Sequence, residues 1–435
     1  SGTLTMLDPG LPAVRQHIVN VIGDIASRYD VDGIHFDDYF YPYSGMASQD
    51  LGTFANNNPQ GFTDSAAWRR NNVNTLIAMV YDTLQSINAA MQKNVVFGVS
   101  PFGIWKSGTP AGITGTSSYS AHYCDPIAWL QAGKVDYLAP QLYWKITGAQ
   151  DFDKLSKWWN DRGQEYGRHI YPGLALYRMD DASNWAAAEI LSQINMTRDN
   201  NRPQVFGNIM FRAAQLKNNS KNIKTELRNS AFRYPSYAPA FAWKDAVCPN
   251  APTQVMFDGD TLRWQKPLVA ADSDTAVKYV VYRYDNQGDL SQMKQDGARV
   301  VGIVSSNKLY LPNAGYALYA VSALDDNNNE SDATLSSFNN VVLCPNASTT
   351  LPALVMGSTY QWQQWTGGSW QSLTDNATFT GTQNATLQLN QLPASMYGLQ
   401  LRAVANGTDA GPVYTITFGT NWTGSSNQNW HNAAN

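Results

Sequence analysis

The chain is poor in charge, and that narrows its partners. Only 15% of its 435 residues are Asp, Glu, Lys or Arg, well under the usual roughly one quarter. The formal net charge is −4, from 30 basic and 34 acidic side chains. An electrostatic nucleic-acid binder carries a basic patch and a high pI, so no nucleic-acid partner is expected. Three cysteines are too few for a disulfide-stapled scaffold or a four-cysteine zinc site. No apolar run reaches the roughly 20 residues that span a bilayer, and no signal-peptide pattern opens the sequence. No Gly-rich phosphate fingerprint follows a strand candidate, which argues against nucleotide binding. Aromatics are abundant instead: 14 Trp, 23 Tyr and 15 Phe. An aromatic-rich, weakly charged, Asn/Thr-rich chain suits a periplasmic or secreted protein that handles sugars, although a large aromatic core gives the same composition.

Length predicts two to four domains at roughly 100–200 residues each. Over residues 1–240, strand-like runs (31–40, 94–105, 135–144, 169–178, 204–212) alternate with helical patterns (11–29, 66–92, 150–163, 183–196). Such alternation predicts an α/β domain of parallel βαβ units, either an open doubly wound sheet or part of a (β/α)8 barrel of the TIM type. Residues 246–345 lose the helical period, and turn residues recur. This stretch resembles a fibronectin type III sandwich, with Trp264 as its core Trp and Tyr316 as its tyrosine corner. Residues 350–420 resemble an immunoglobulin-like sandwich without a disulfide: Tyr397 lies two residues before Leu399, where such domains carry their second cysteine. Residues 421–435 read as a linker or the start of another module. Cys248 and Cys344 bracket the second domain. The ends of such a sandwich lie at opposite poles, beyond the roughly 7 Å Cα limit, so no bond between them is expected.

The segment YDVDGIHFDDYFYPY, residues 29–43, carries the strongest chemical signal. Alternation along a strand puts His35, Asp37 and Tyr39 on one face, with Ile34 and Phe36 packed behind. Asp38 then falls at the rim of the strand end. The carboxyl end of parallel strands is where α/β enzymes place their sites. Two close carboxylates among aromatics resist ionising together, so one pKa rises, which is the condition a general acid needs. Asp37 and Asp38 are therefore the candidate catalytic residues. Later strand ends add Ser100, Phe102 and Trp105, then Gln141, Tyr143 and Trp144, then Tyr177 and Arg178, and finally Arg212. Of these, Trp105, Gln141, Tyr143, Trp144, Tyr177 and Arg212 join His35 and Tyr39 as candidate sugar-binding groups. Asp180 and Asp181 read as caps of the following helix, and Trp158 and Trp159 as core. The basic pair of WRRNN (68–72) either holds substrate or pairs with acids. His122 near Cys124 lacks a third ligand at sensible spacing, so no metal and no cofactor are expected.

These motifs carry a resemblance. LDPGLP, VDGIHFDDYFYP, WRRNN, GVSPFGIW, DYLAPQLYW and KWW, in order between about residue 4 and residue 235, resemble the glycosyl-hydrolase-like family ten of bacterial envelope proteins. That family includes a divisome-associated glycosidase acting on peptidoglycan glycans stripped of their peptides. The resemblance implies a (β/α)8 barrel and hydrolysis of an N-acetylated, peptidoglycan-like cell-wall glycan. It also implies residence in the bacterial cell envelope, periplasmic or secreted. In the family, LDPG follows the first three barrel strands, whereas this chain opens on it. The expectation is a barrel truncated to strands four to eight, with any signal peptide lost alongside the first three.

Two mechanisms fit. Paired carboxylates stand about 5–5.5 Å apart in retaining enzymes and about 6.5–9.5 Å apart in inverting ones; here the second acid would lie upstream of Ser1. Alternatively the substrate's own N-acetyl group is the nucleophile. By analogy, Asp37 then orients the acetamide, Asp38 protonates the leaving oxygen and Tyr143 holds the acetamide oxygen. The non-enzymatic alternative is a carbohydrate-binding envelope protein whose decayed barrel presents aromatics.

Overall fold

The computed structural model describes residues 6–418 apart from 44, 200, 259, 285–295, 313–317, 337 and 356. Tyr316 and the 421–435 module lie outside the described residues. The chain divides into two units, Ser1–Arg233 and Tyr234–Asn435.

The first unit is mixed α/β. It runs α1 (Pro12–Arg28), β1 (Gly33–Phe36), α2 (Leu51–Asn56), α3 (Ser65–Met91), β2 (Val96–Val99), α4 (Ser118–Ala121), α5 (Pro126–Gln131) and β3 (Tyr137–Leu138). It continues with α6 (Phe152–Tyr166), β4 (His169–Ile170), β5 (Gly173–Ala175), α7 (Ala187–Thr197), β6 (Ile209–Phe211), α8 (Ala213–Lys217) and α9 (Ile223–Asn229). Local chemistry sets the helix starts. Pro12 and Pro126 sit in first turns, where a missing N–H costs nothing. The Asp64 carboxylate accepts from the N–H groups of Ala66 and Ala67 to cap α3, and Asp151 does the same for α6.

β1, β2, β3 and β4 pair in parallel and in chain order. β5 pairs with β6, also in parallel, and bridges Gln141–Gly173 and Ile170–Val205 carry the wall onward. The strands are much shorter than the apolar runs that contain them. Pro101, Pro140 and Pro172 each fall two residues past a strand end, and a residue without an N–H cannot continue a ladder. Past Pro101 and Pro140 only the isolated bridges Phe102–Gln141 and Gln141–Gly173 continue the wall before loops begin, whereas past Pro172 the chain resumes as β5. The wall is an open arc: no pairing among the described residues closes it, so the expected barrel is present only as parallel βα units. An eight-strand closure needs more staves than these runs supply. Behind the arc, Ile34, Phe97, Val99, Leu138, Ile170 and Leu174 pack with Trp129 and Trp159 in one buried cluster.

The second unit is all β. One face-to-face pair of sheets has the order β10-β9-β12-β13 over β11-β8-β7. Its strands are β7 (Thr253–Asp258), β8 (Thr261–Gln265), β9 (Lys278–Tyr284), β10 (Val300–Val304), β11 (Lys308–Tyr310), β12 (Leu318–Leu324) and β13 (Thr334–Leu335). Next come β14 (Phe338–Leu343), β15 (Thr349–Pro352), β16 (Tyr360–Trp365), β17 (Trp370–Ser372), β18 (Phe379–Thr380), β19 (Thr386–Leu389), β20 (Gln400–Ala405), β21 (Asp409–Ala410) and β22 (Val413–Phe418). These form sheets β14-β22-β20-β16-β17 and β15-β19-β18, with β21 beside β20. Trp264 and Trp362 are both buried. Tyr397 is 66% exposed and does not act as a buried corner. β14 lies before residue 345 yet pairs in parallel with β22. β12 is buried along its whole length: Tyr319, Val321 and Ala323 join Trp264, while Leu318, Ala320 and Leu324 join the cluster containing Trp362. Period two on a strand with two covered faces thus ties the two stretches into one core.

Gly98 fixes the geometry in front of β2. A Cβ there would lie 2.0–2.3 Å from ring atoms of Tyr137, inside van der Waals contact. Gly98→Ala is expected to destabilise the first unit by about 1–3 kcal/mol in urea unfolding. A change under about 0.5 kcal/mol, the range of neutral surface changes, would show that the Tyr137 ring is not held there.

Candidate active site

β1 brings the acids to the end of the sheet. Its burial alternates, with Ile34 in the core and His35 exposed. His35 stacks on Tyr137 with ring centroids 5.7 Å apart, and its Nδ1 lies 2.9 Å from the Tyr137 hydroxyl. The strand stops at Phe36, so alternation does not reach the acids. A turn follows, closed by the Phe40 N–H donating to the Asp38 carbonyl at 2.8 Å. That turn leaves Asp37 exposed and folds Asp38 inward to 1% exposure. Asp38 is therefore not at an open rim, as alternation predicted.

The two carboxylates share one network. Asp37 Oδ1 accepts from the Asp38 N–H and from the Gln141 amide, both at 2.9 Å. The same Gln141 amide donates to the Ser100 carbonyl at 3.1 Å. Tyr43 donates its hydroxyl to Asp38 Oδ2. Burial pushes the Asp38 carboxyl up from 3.8 to about 6. The Asp37 charge and a carboxyl hydrogen bond to Asp37 also raise it, while the Tyr43 and Gln141 bonds pull it down. The Tyr43 phenol is itself pushed up by burial and by Asp38, so it remains a donor.

An aromatic wall encloses the pair. Tyr43 packs on His122 at 3.9 Å and on Phe102 at 6.3 Å, and Phe102 meets Trp144 at 5.5 Å. Tyr39, 72% exposed, leans on Tyr43 at 5.9 Å. Tyr143 sits between Tyr177 and Phe211, at 5.9 and 5.8 Å. Burial and then the Asp37 charge raise its phenol. His122 is wholly buried, neither ring nitrogen has a hydrogen-bond partner among the described residues, and burial lowers its pKa. The buried Cys124 thiol is held protonated by burial and by Asp38.

The structure thus gathers His35, Asp37, Asp38, Tyr39, Gln141, Tyr143, Trp144 and Tyr177 around one carboxyl-end surface. It does not bring Trp105 to the acids. That indole donates to Asp125 at 3.0 Å, stacks on Trp158 at 5.9 Å and is covered by the Lys106 ammonium at 3.9 Å. Arg212 is exposed just past β6, and among the described residues no hydrogen bond or ion pair joins it to the acids. Arg69 is spent on a buried, bidentate pair with Asp50 at 2.5–2.7 Å, and Arg70 lies 3.7 Å from Asp64. Asp180 and Asp181 do not cap α7. Asp180 accepts from Gln215 and Ser220, and Asp181 from the Ser183 N–H. Tyr43, Tyr137, His122 and Phe211 were not selected by strand periodicity. Tyr43 nevertheless stands inside the 29–43 motif, five residues after Asp38.

Carboxylates at the carboxyl end of parallel strands, walled by aromatics, are the setting of α/β enzymes. Residues 1–189 match the family described as Glycosyl hydrolase-like 10, and the chain belongs to that family. It is 30% identical over 341 residues to the glycosyl hydrolase YngK of Bacillus subtilis, covering 75% of this chain and 66% of that one. It is 37% identical over 226 residues to the glycosyl hydrolase DigH of Escherichia coli O6:H1, covering 49% of this chain and 50% of the relative. The matched stretches thus span from half to just under two thirds of these relatives. A solved chitinase, ChiW of Paenibacillus, is 12% identical with a TM-score of 0.34, over 76% of this chain and 46% of that one. A likeness that weak carries no argument.

The raised Asp38 pKa has a stability consequence. The folded state holds the proton up to about pH 6, whereas the unfolded chain releases it near 3.8. Wild type therefore loses stability as pH rises from about 4 to above 6, by at most about 3 kcal/mol. Asp38→Asn, which cannot ionise, is expected to match wild type in urea unfolding near pH 4 and exceed it at pH 7.5. Equal stability at both pH values would show that Asp38 ionises freely.

Proposed function

We propose that the chain is a glycoside hydrolase acting on an N-acetylated bacterial cell-wall glycan of the peptidoglycan kind. The observation that carries this reading is the Asp37–Asp38 pair: two contiguous, hydrogen-bonded carboxyl groups, one solvent-facing and one with its pKa raised to about 6. Membership of the glycosyl-hydrolase-like family supports it. So does the aromatic surface around the pair, because aromatic faces pack against the C–H faces of sugars. In this reading the open parallel arc is one wall of a (β/α)8 barrel. Secretion or periplasmic residence accords with the aromatic-rich, weakly charged composition. Fibronectin- and immunoglobulin-like modules in the second unit would present the enzyme to its polymer.

Adjacent residues sharing a hydrogen-bond network favour the substrate-assisted route over two carboxylates flanking the scissile bond. The acetamide oxygen attacks the anomeric carbon as the glycosidic C–O bond breaks. Asp37, exposed and oriented by Gln141, holds the acetamide, with Tyr143 donating to it. The proton that reaches the leaving oxygen comes from the pair, stored on Asp38. Water then opens the cyclic intermediate and returns a proton to the pair. The burial of Asp38 favours a second reading, binding without turnover, because a 1% exposed acid reaches a leaving group only if the 37–43 turn adjusts.

Turnover decides between them. Wild type is expected to release reducing ends from glycan strands freed of peptide, with kcat/KM falling as pH rises through about 6, where the pair loses its proton. Asp38→Asn should cost about 10²–10⁴-fold, largely recovered on an aryl glycoside whose leaving group needs no proton. Asp37→Asn should lose activity on both substrates. Tight glycan binding with no reducing ends at any pH would leave the binding reading alone.

A further inference from the structure

A carboxyl group that is 1% exposed can give up its proton only if the carboxylate left behind is tolerable. A buried charge is costly unless a donor meets it. Tyr43 supplies that donor, because its hydroxyl gives its hydrogen to Asp38 Oδ2. Burial raises the Asp38 carboxyl most. Of the two side-chain bonds that favour its charged form, the Tyr43 bond counts for more than that of Gln141. Burial and Asp38 push the Tyr43 phenol itself up, so it donates without losing its own proton.

The surroundings leave this task to Tyr43. His122 packs on its ring with centroids 3.9 Å apart, yet neither imidazole nitrogen bonds the hydroxyl. Burial lowers the His122 pKa, so it sets no cation beside the acid. Cys124 stays a thiol, held so by burial and then by Asp38. Asp37, on the same turn, opposes a second negative charge. His35 on β1 feels Asp37, and Tyr143 past β3 feels Asp37 more than Asp38. The cations Lys145 and Arg178 share with Tyr143 and Trp144 the lining of a pocket of about 270 Å³, and among the described residues no ion pair joins either to the acids.

We propose that Tyr43 is a positioning residue that enables the buried acid to release its proton, its hydroxyl holding the charge left on the Asp38 carboxylate. The use of this bond in turnover rests on the hydrolase reading. As the glycosidic C–O bond breaks, its electron pair goes to the leaving oxygen, which takes the proton from the pair. Asp38 is left as a carboxylate, and Tyr43 keeps its hydrogen. The bond strengthens at that moment, because a hydrogen bond to an ionised acceptor is roughly twice as strong as a neutral one. It therefore stabilises the transition state more than the ground state. Tyr43 ends the same 37–43 turn as the acid, so the bond travels with Asp38 when that turn adjusts.

Tyr43→Phe removes the hydroxyl and keeps the ring. Two measurements on the full chain test it. The first is carboxyl-carbon NMR with isotope-labelled Asp, the Asp38 signal being assigned by its loss in Asp38→Asn. The lost bond favoured the carboxylate, so the midpoint near 6 is expected to rise by roughly one to two pH units. The second is kinetics. The alkaline limb of kcat/KM should move up by the same amount, since the protonated pair is the active form. On glycan strands kcat should fall roughly tenfold to hundredfold with KM little changed. An aryl glycoside whose leaving group needs no proton should stay within about threefold. A midpoint that stays put, or falls because water replaces the hydroxyl, would overturn the proposal. So would equal loss on both substrates with an unmoved pH limb, which is the signature of packing alone. A raised midpoint in a chain without turnover would uphold the Tyr43–Asp38 coupling and remove the hydrolase reading; turnover with an unmoved midpoint would do the reverse.

Discussion

A carboxyl group 1% exposed beside a second carboxylate is unfavourable to ionise, and the rest of the first unit is arranged around that constraint. Asp37 is steadied by Gln141, which stands past the end of β3 and is itself steadied by the Ser100 carbonyl past the end of β2. These contacts exist only because β1, β2 and β3 lie side by side, parallel and in chain order. Their carboxyl ends then converge on one surface. Pro101 and Pro140 end the β2 and β3 ladders there, and the Gly98–Tyr137 contact keeps β2 and β3 close enough for His35 and Tyr137 to stack. Remove the parallel order, and Asp38 remains buried without the network that makes its burial tolerable.

Much of this was legible in sequence. The alternation of apolar runs and helical periods located the α1, α3, α6 and α7 helices and every strand position of the arc, because a 27-residue helix such as α3 has a strong period and a clear cap. The acid pair was visible as chemistry, since consecutive carboxylates among aromatics are hard to explain as a solvated turn. The orientation of that pair was not. Period two holds only while a strand lasts, and β1 ends one residue before Asp37. Which acid is buried depends on a turn closed by Phe40 and on Tyr43, neither of which has a periodic signature. Trp105 shows the opposite failure. It stands at a strand end with the right chemistry, but Asp125, Trp158 and Lys106 occupy it. Nothing in the local sequence announces partners 20 and 53 residues away.

Charge is distributed in the first unit with similar economy. Most cations are committed to structure: Arg69 to Asp50 in the interior, Arg202 to Asp153, Lys93 to the carbonyls that end α1, and Lys221 to Asn184 and the Trp185 carbonyl. A buried or half-buried cation needs such partners, because desolvation otherwise outweighs its interactions. Near the acid pair, half-buried Arg178 has only the Ser183 hydroxyl at 3.1 Å and Asp181 at 3.5 Å, while Lys145 is exposed to solvent. A bare positive pocket in direct contact would draw the proton off Asp38 by favouring the carboxylate. Tyr143 and Trp144 stand between, two aromatic rings that belong to both surfaces. An anion seated among the cations would cancel their field and favour the protonated acid. A wall of aromatic rings screens less than water, so any such change of charge in the pocket would be felt at the acid pair more strongly than across a wet gap.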